Sequence, residues 1–281
     1  MEQRALSHDG TPIAYQVQGK GPAVVLVGGG LDDGAENVPL AAVLAGWFTV
    51  YNFARRGRGG SGDTQPYTVA REIEDVAALI ELTGGRAHVF GASSGGALAL
   101  EAAAAGLPVQ RVAVYEVPYS VQPQAAEAWR AYVSALTAVL ADGRRDDALA
   151  LFMRLAGASD EDIAEARNAP FWPGLRAIAH TLAYDAACLG DGPPPAHRFS
   201  RIAQPVLVAT GEPGADPHSP GLPPDFYVRA ADELTTILPR AQRLTLKGQG
   251  HVGDPEALGD ALHTFFSDPD PRAETNVTRD C

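Results

Sequence analysis

The sequence predicts an α/β fold, a mostly parallel sheet flanked by helices and interrupted by an all-helical insertion, and three features predict it. A continuous apolar run at 23–27 has the composition of a strand buried on both faces, and short, mainly apolar strands follow at 87–90, 112–115 and 205–210. Segments with apolar residues at helical spacing alternate with them, as the crossovers of a parallel sheet require. From 120 to 201 the strand pattern stops and only helical stretches remain. A chain of 281 residues is long enough for one large α/β domain with an insertion and a substantial core.

Taken in order, residues 11–18 alternate as an edge strand does, and Lys20-Gly21-Pro22 turns the chain into the buried run 23–27. That run ends in Gly28-Gly29-Gly30-Leu31, a loop able to present backbone N–H groups to a ligand. Asp32, Asp33 and Glu36 read as capping charges ahead of a helix at 38–45. A strand at 47–53 leads into Arg55-Arg56-Gly57-Arg58-Gly59-Gly60-Ser61-Gly62. Its glycines fit the dinucleotide pattern G-x-G-x-x-G, but no helix opens inside the motif and the chain runs on into a turn at 63–67, so the pattern carries no dinucleotide site. The helix at 69–82 carries Ile73, Val76, Leu79 and Ile80 at helical spacing and stops at Gly84-Gly85.

The strand 87–90 then delivers Gly91-Ala92-Ser93-Ser94-Gly95-Gly96 to an alanine-rich helix at 97–105. A serine on a sharp strand-to-helix turn is crowded two residues before and two after, so both positions favour glycine, and Gly91 and Gly95 flank Ser93 in that way. Shifting the frame to Ser94 leaves a Cβ, that of Ala92, where the turn is tightest. An ordinary glycine-rich turn with two solvated hydroxyls is the plainer alternative.

Beyond the elbow, the strand at 112–115 ends in Glu116, a carboxylate where open α/β sheets gather ligand sites. Helices are expected around 125–140, 146–155, 160–167 and 175–189, and Phe171-Trp172, on a proline-flanked turn, is the preferred substrate-contacting pair beside the equal alternative of core packing. The sheet resumes at 205–210, followed by a loop with Glu212 and Asp216, a helix at 225–238, a strand at 242–246, the loop Gly248-Gln249-Gly250-His251 and a helix at 255–266. The division is thus a core of 1–119 and 202–268, a helical cap of 120–201 and a polar tail, 269–281, expected to be disordered.

A net charge of −12 argues against nucleic acid or an anionic membrane as partner and for a small molecule. No run approaches the ~18 apolar residues of a membrane span and no signal-peptide core is present, so the expected location is the cytoplasm. Cys188 and Cys281 suggest neither a bridge nor a metal site, no cofactor is expected, and a homodimer stays open.

An elbow serine, later carboxylates at strand ends and a histidine after the last strand stand in the order Ser, acid, His. With the loop at 24–30, the turn at 56–61 and Gly250-His251, this order resembles the α/β-hydrolase superfamily over nearly the whole chain. The resemblance implies a mostly parallel eight-stranded sheet with residues 120–201 as lid. It further implies Ser93 as nucleophile, His251 as general base, the N–H groups of Ser94 and Gly30 as oxyanion hole, and Leu31 beside the substrate. Relatives often carry His-Gly where this chain has Gly28-Gly29. For the acid, many relatives would nominate Asp216, but the usual short turn finds Gly214 where Asp belongs. Haloalkane dehalogenases of one type and the resorcylic-lactone lactonases place a glutamate where Tyr115-Glu116-Val117-Pro118 stands, and the latter share a Ser-Ser-Gly elbow. Glu116 is therefore preferred, with Asp216 in reserve. A serine nucleophile favours ester or lactone hydrolysis over dehalogenation. Carbon–carbon bond hydrolysis, a cofactor-free lyase and a non-catalytic ligand binder are the alternatives on the same fold.

Overall fold

The computed structural model describes residues 2–214 and 221–269. β1 (Gln3–Leu6), β2 (Pro12–Gly19), β3 (Ala23–Val27), β4 (Thr49–Phe53), β5 (Ala87–Ala92), β6 (Val109–Tyr115), β7 (Val206–Thr210) and β8 (Ala241–Thr245) form one eight-stranded sheet in the order β1-β2-β4-β3-β5-β6-β7-β8. β2 is antiparallel to β1 and β4, and the remaining pairs are parallel. β1 has no counterpart in the sequence reading: it is four residues long and buries only Ala5, which leaves no pattern to detect.

The helices of the core are α1 (Val38–Leu44), α2 (Val69–Leu82) and α3 (Ser94–Ala104). Between β6 and β7 come α4 (Pro123–Ala141), α5 (Arg145–Leu155), α6 (Asp160–Arg167), α7 (Trp172–Ile178), α8 (Leu182–Leu189) and α9 (Ala196–Phe199); α10 (Phe226–Ile237) and α11 (Pro255–Ser267) complete the described chain. Successive strand residues point to opposite faces of a sheet. Val24, Leu26 and Phe90 accordingly pack with Leu40 and Leu44 of α1 and Leu262 and Phe266 of α11. Their neighbours Val25, Val27 and Val89 pack with Val76 of α2 and Leu98 of α3 on the other side. Both faces are covered, which is why the strands read as unbroken apolar runs.

Three local features differ from expectation. Asp32 does not cap α1: it is buried, its Oδ1 accepts from the Gly34 and Glu36 N–H groups of its own loop, and burial pushes its carboxyl above the usual range. The expected helix at 175–189 is broken into α7, a 3-10 turn at Ala179–Thr181 and α8. There the buried Thr181 donates its hydroxyl to the Ile178 carbonyl at 2.7 Å, three residues back, the spacing of a tightened turn. Finally, α3 begins at Ser94, directly behind Ser93. Among the described residues no helix is long and apolar enough to cross a membrane.

Register decides what gathers at the carboxyl edge of the sheet. Ala92 pairs with Tyr115 and Tyr115 with Ala209, so Ser93 and Glu116 leave adjacent strands side by side. Neighbouring strands lie about 4.8 Å apart.

Candidate active site

At the elbow, Ser93 has φ +52°, and its N–H donates to the Tyr115 carbonyl at 2.9 Å. The flanking glycines are dictated by backbone contact. A Cβ on Gly91 would lie 2.3 Å from the Gly95 carbonyl oxygen, and one on Gly95 would lie 2.3 Å from that of Val27. The two serines have different surroundings. Ser94 is buried, its hydroxyl donating to Asp185 Oδ1 at 2.7 Å and accepting from Arg55 Nη1 at 3.3 Å, whereas Ser93 is half-buried. Ser94 also opens α3, so its N–H is among the donors a helix leaves without an internal partner.

Glu116 and His251 are brought together. Glu116 is buried at φ +49°; its Oε2 accepts from His251 Nδ1 at 2.9 Å and its Oε1 from the Gly211 N–H at 2.8 Å. Gly211 has no room for a side chain, since a Cβ there would stand 2.2 Å from the Gln249 carbonyl oxygen. The histidine loop is anchored by Tyr115, whose hydroxyl donates to the Gly250 carbonyl, and by Gln249, whose Oε1 accepts from the Asp254 N–H. The imidazole stacks on Tyr227, centroids 4.7 Å apart and planes 16° from parallel. With Nδ1 on the carboxylate, Nε2 is the ring atom through which the imidazole can take a proton from a third group. Asp216, the reserve acid, lies outside the described residues.

The glycine loop passes over the elbow: a Cβ on Gly29 would sit 3.2 Å from Ser93 Cβ. Gly30 lies against the insertion, where an added Cβ would meet Asp185 Oδ2 at 3.4 Å and Phe152 at 3.9 Å. Leu31 is half-buried, packs on the core and takes φ +60°. Gly28 explains why His-Gly is missing here. A Cβ at that position would fall 2.0 Å from Asp32 Oδ2, so the buried Asp32 occupies the space of a side chain.

Phe171 and Trp172 differ in burial. Trp172 opens α7, is buried, and donates its Nε1–H to Asp146 at 2.7 Å within the insertion; Phe171 is 57% exposed on the preceding turn. His180 meets Asp63 at 3.0 Å.

The sequence reading assigned no role to the arginines of the turn after β4. Arg55, Arg56 and Arg58 are all buried. Arg55 is gripped by both oxygens of Glu72, Arg56 by both oxygens of Asp75, and Arg58 by both oxygens of Asp185. Burial would raise the Glu72 carboxyl, but the Arg55 charge and hydrogen bonds outweigh it and hold it at about 2. Beside them burial pushes the Cys188 thiol well up, away from reactivity at neutral pH. A signal for these pairs was present. Glu72 and Asp75 share the stripe of α2 that carries the buried Val76 and Leu79, and a carboxylate in an apolar stripe needs a buried cation. Among the described residues no cluster of three or more His, Cys, Asp or Glu could hold a metal ion.

Comparison with known proteins follows the same lines. A profile of the alpha/beta hydrolase family matches residues 24–261. An alpha/beta hydrolase from Sphaerobacter thermophilus DSM 20745 is 46% identical, with a TM-score of 0.81 over 94% of this chain and 100% of that one. The enol-lactonase of Burkholderia xenovorans LB400 shares the fold at 22% identity, TM-score 0.65, over 95% of this chain and 100% of that one. The uncharacterized hydrolase YraK of Bacillus subtilis (strain 168) is 38% identical over 96 residues, a stretch that spans 33% of this chain and 35% of that protein.

Proposed function

This chain belongs to the alpha/beta hydrolase family, and on that footing we propose that it is a cytoplasmic serine hydrolase cleaving an ester or lactone of a small, largely apolar substrate through Ser93, His251 and Glu116. The observation that carries this reading is the pairing of the buried Glu116 with His251 Nδ1, one strand over from a serine on a glycine-forced elbow. In the reaction, Ser93 Oγ attacks the carbonyl carbon as His251 Nε2 takes its proton. The oxygen, now negative, receives hydrogen bonds from the N–H groups of Ser94 and Gly30. The carbon–oxygen bond to the leaving alkoxide breaks, and the imidazolium returns the proton to it. Water, deprotonated by the same imidazole, then hydrolyses the acyl-enzyme. Glu116 holds the ring in the tautomer this sequence needs and stabilises the imidazolium.

The test is labelling by a fluorophosphonate followed by peptide mapping. An adduct on Ser93, absent from Ser93→Ala and retained in Ser94→Ala, is the expected result; an unlabelled wild type, or equal labelling of Ser93→Ala, sinks the proposal. A panel of 4-nitrophenyl esters and simple lactones then sets the leaving group and acyl size.

A further inference from the structure

Beneath the elbow lies a buried ionic group that the proposed triad does not use, and it reaches both arms of the oxyanion hole. Asp185 of α8 is its hub. One carboxylate oxygen accepts from Arg55 Nη1 at 2.7 Å and from the Ser94 hydroxyl at 2.7 Å, and Arg58 Nη2 bridges both oxygens at 2.8 and 2.9 Å. Arg58 in turn donates through Nη1 to the carbonyl of Gly29, and Arg55 reaches that of Gly28 at 3.3 Å. A trans peptide carries its C=O and the next N–H on opposite edges. With the Gly29 oxygen fastened to Arg58, the Gly30 N–H is turned away from the guanidinium.

We infer that Arg58 and Asp185 are positioning residues of the oxyanion hole. Arg58 fastens the Gly29–Gly30 peptide so that the Gly30 N–H donates to the substrate oxygen. Asp185 holds Arg58 and also grips Ser94, whose own N–H is the second donor. The inference rests on Ser93 being the nucleophile. It has a structural consequence: α8 packs on α3, so the hole is set only while this part of the insertion is seated on the core. Free glycine peptides have no reason to hold one orientation. The ion pair supplies that reason, and donors already aimed cost no reorganisation when charge develops.

Arg58→Lys keeps the charge but loses the forked grip, and Asp185→Asn keeps an acceptor but loses the charge. Both are compared with wild type on 4-nitrophenyl butyrate, on its thionoester, in which sulfur replaces the carbonyl oxygen, and in the rate of fluorophosphonate labelling. Sulfur accepts hydrogen bonds weakly, so an intact hole prefers the oxygen ester and a disordered one loses the preference. The expected result is a kcat on the oxygen ester lower by about 10- to 100-fold with KM within about threefold, a smaller loss on the thionoester, and slower labelling of Ser93. An oxygen-to-sulfur ratio equal to that of wild type overturns the inference, whether or not rates fall, because a general loss of packing slows both esters alike. If Asp185→Asn does not fold, Arg58→Lys carries the test. A wild type unlabelled at Ser93 overturns the nucleophile and this inference together; a labelled Ser93 with an unchanged ratio overturns this inference alone.

Discussion

The carboxyl edge of the sheet and the helical insertion above it are held in place by different means. Leu31, in the loop after β3, and Ser93 and Glu116, directly after β5 and β6, all have positive φ although none is glycine. In the insertion, positive φ is confined to Gly143, Gly157, Gly190 and Gly192, where it costs little. A non-glycine residue in that region persists only where its surroundings over-determine it. At the edge they do: the Val27 and Gly28 carbonyls press on Gly95, Gln249 closes over Gly211, and Tyr115 fixes the histidine loop. The insertion consists of helices seated on the core by apolar packing, Leu182, Ala186 and Leu189 of α8 sharing one buried cluster with Leu98 of α3, and by the ion pair of Asp185 with Arg58. Positive φ at non-glycine residues thus collects at the carboxyl edge, and the rest of the described chain supplies regular structure around it.

The sharpest way to break this contrast is to exchange the two serines' fates. Ser93→Ala is expected to lower hydrolysis of 4-nitrophenyl butyrate by about 100,000-fold or more. Ser94→Ala removes a hydrogen bond to the buried Asp185 and is expected to cost only about tenfold, the kinetic equivalent of one charge-assisted bond. Similar losses in both would mean that Ser94, not the elbow geometry, matters. For the acid, Glu116→Gln should lower kcat by about 1,000- to 10,000-fold by breaking the tautomer lock on His251, while Asp216→Asn stays within about threefold. The reverse pattern would move the acid to the loop after β7.

How much of this the sequence discloses follows from the same contrast. The elbow is legible because sterics confine it to a five-residue spacing, with Gly91 and Gly95 each opposed by a carbonyl within 2.3 Å of where a Cβ would stand. Glu116 is legible as a carboxylate ending a buried strand. Asp185 is not, since its partner Arg58 lies 127 residues away and no local spacing records the pair. Its trace is a carboxylate among Leu182, Ala186 and Leu189, the buried stripe of α8. Phe171 and Trp172 are hard to tell apart for a related reason: two adjacent aromatics between prolines look alike in sequence, yet one begins a helix and is buried.

That pair sharpens the contrast from the side of the insertion. Trp172→Ala removes a buried ring, its bond to Asp146 and the Arg167 guanidinium stacked 5.9 Å away, and is expected to cost about 3 kcal/mol or more in urea unfolding. Phe171→Ala, at an exposed turn, should stay within about 0.5 kcal/mol. Activity is the second readout. A raised KM in Phe171→Ala with stability intact would bring that ring to the substrate; an unchanged KM leaves the insertion's contribution to Phe152, Asp185 and their neighbours.

Acid should separate a group inside the sheet from the buried ion pairs by pH window. His88, in β5 below the elbow, is stacked on Phe266, and burial with the nearby Arg111 lowers its imidazole from 6.5 to about 4. Between those values the unfolded chain binds a proton that the folded one refuses, so stability present above pH 6.5 is lost as pH falls toward 4, by no more than about 3 kcal/mol. The buried ion pair of Arg55 with Glu72 behaves differently. Glu72, held at about 2 against a usual 4.5, keeps its contribution down to pH 4.5 and gives it up only as pH falls from there toward 2. Replacing the ring in His88→Phe should therefore flatten the urea midpoint between pH 6.5 and 4 and leave the steeper loss below pH 4 in place. If the midpoint of His88→Phe still falls through the upper window, that acid sensitivity belongs to another group.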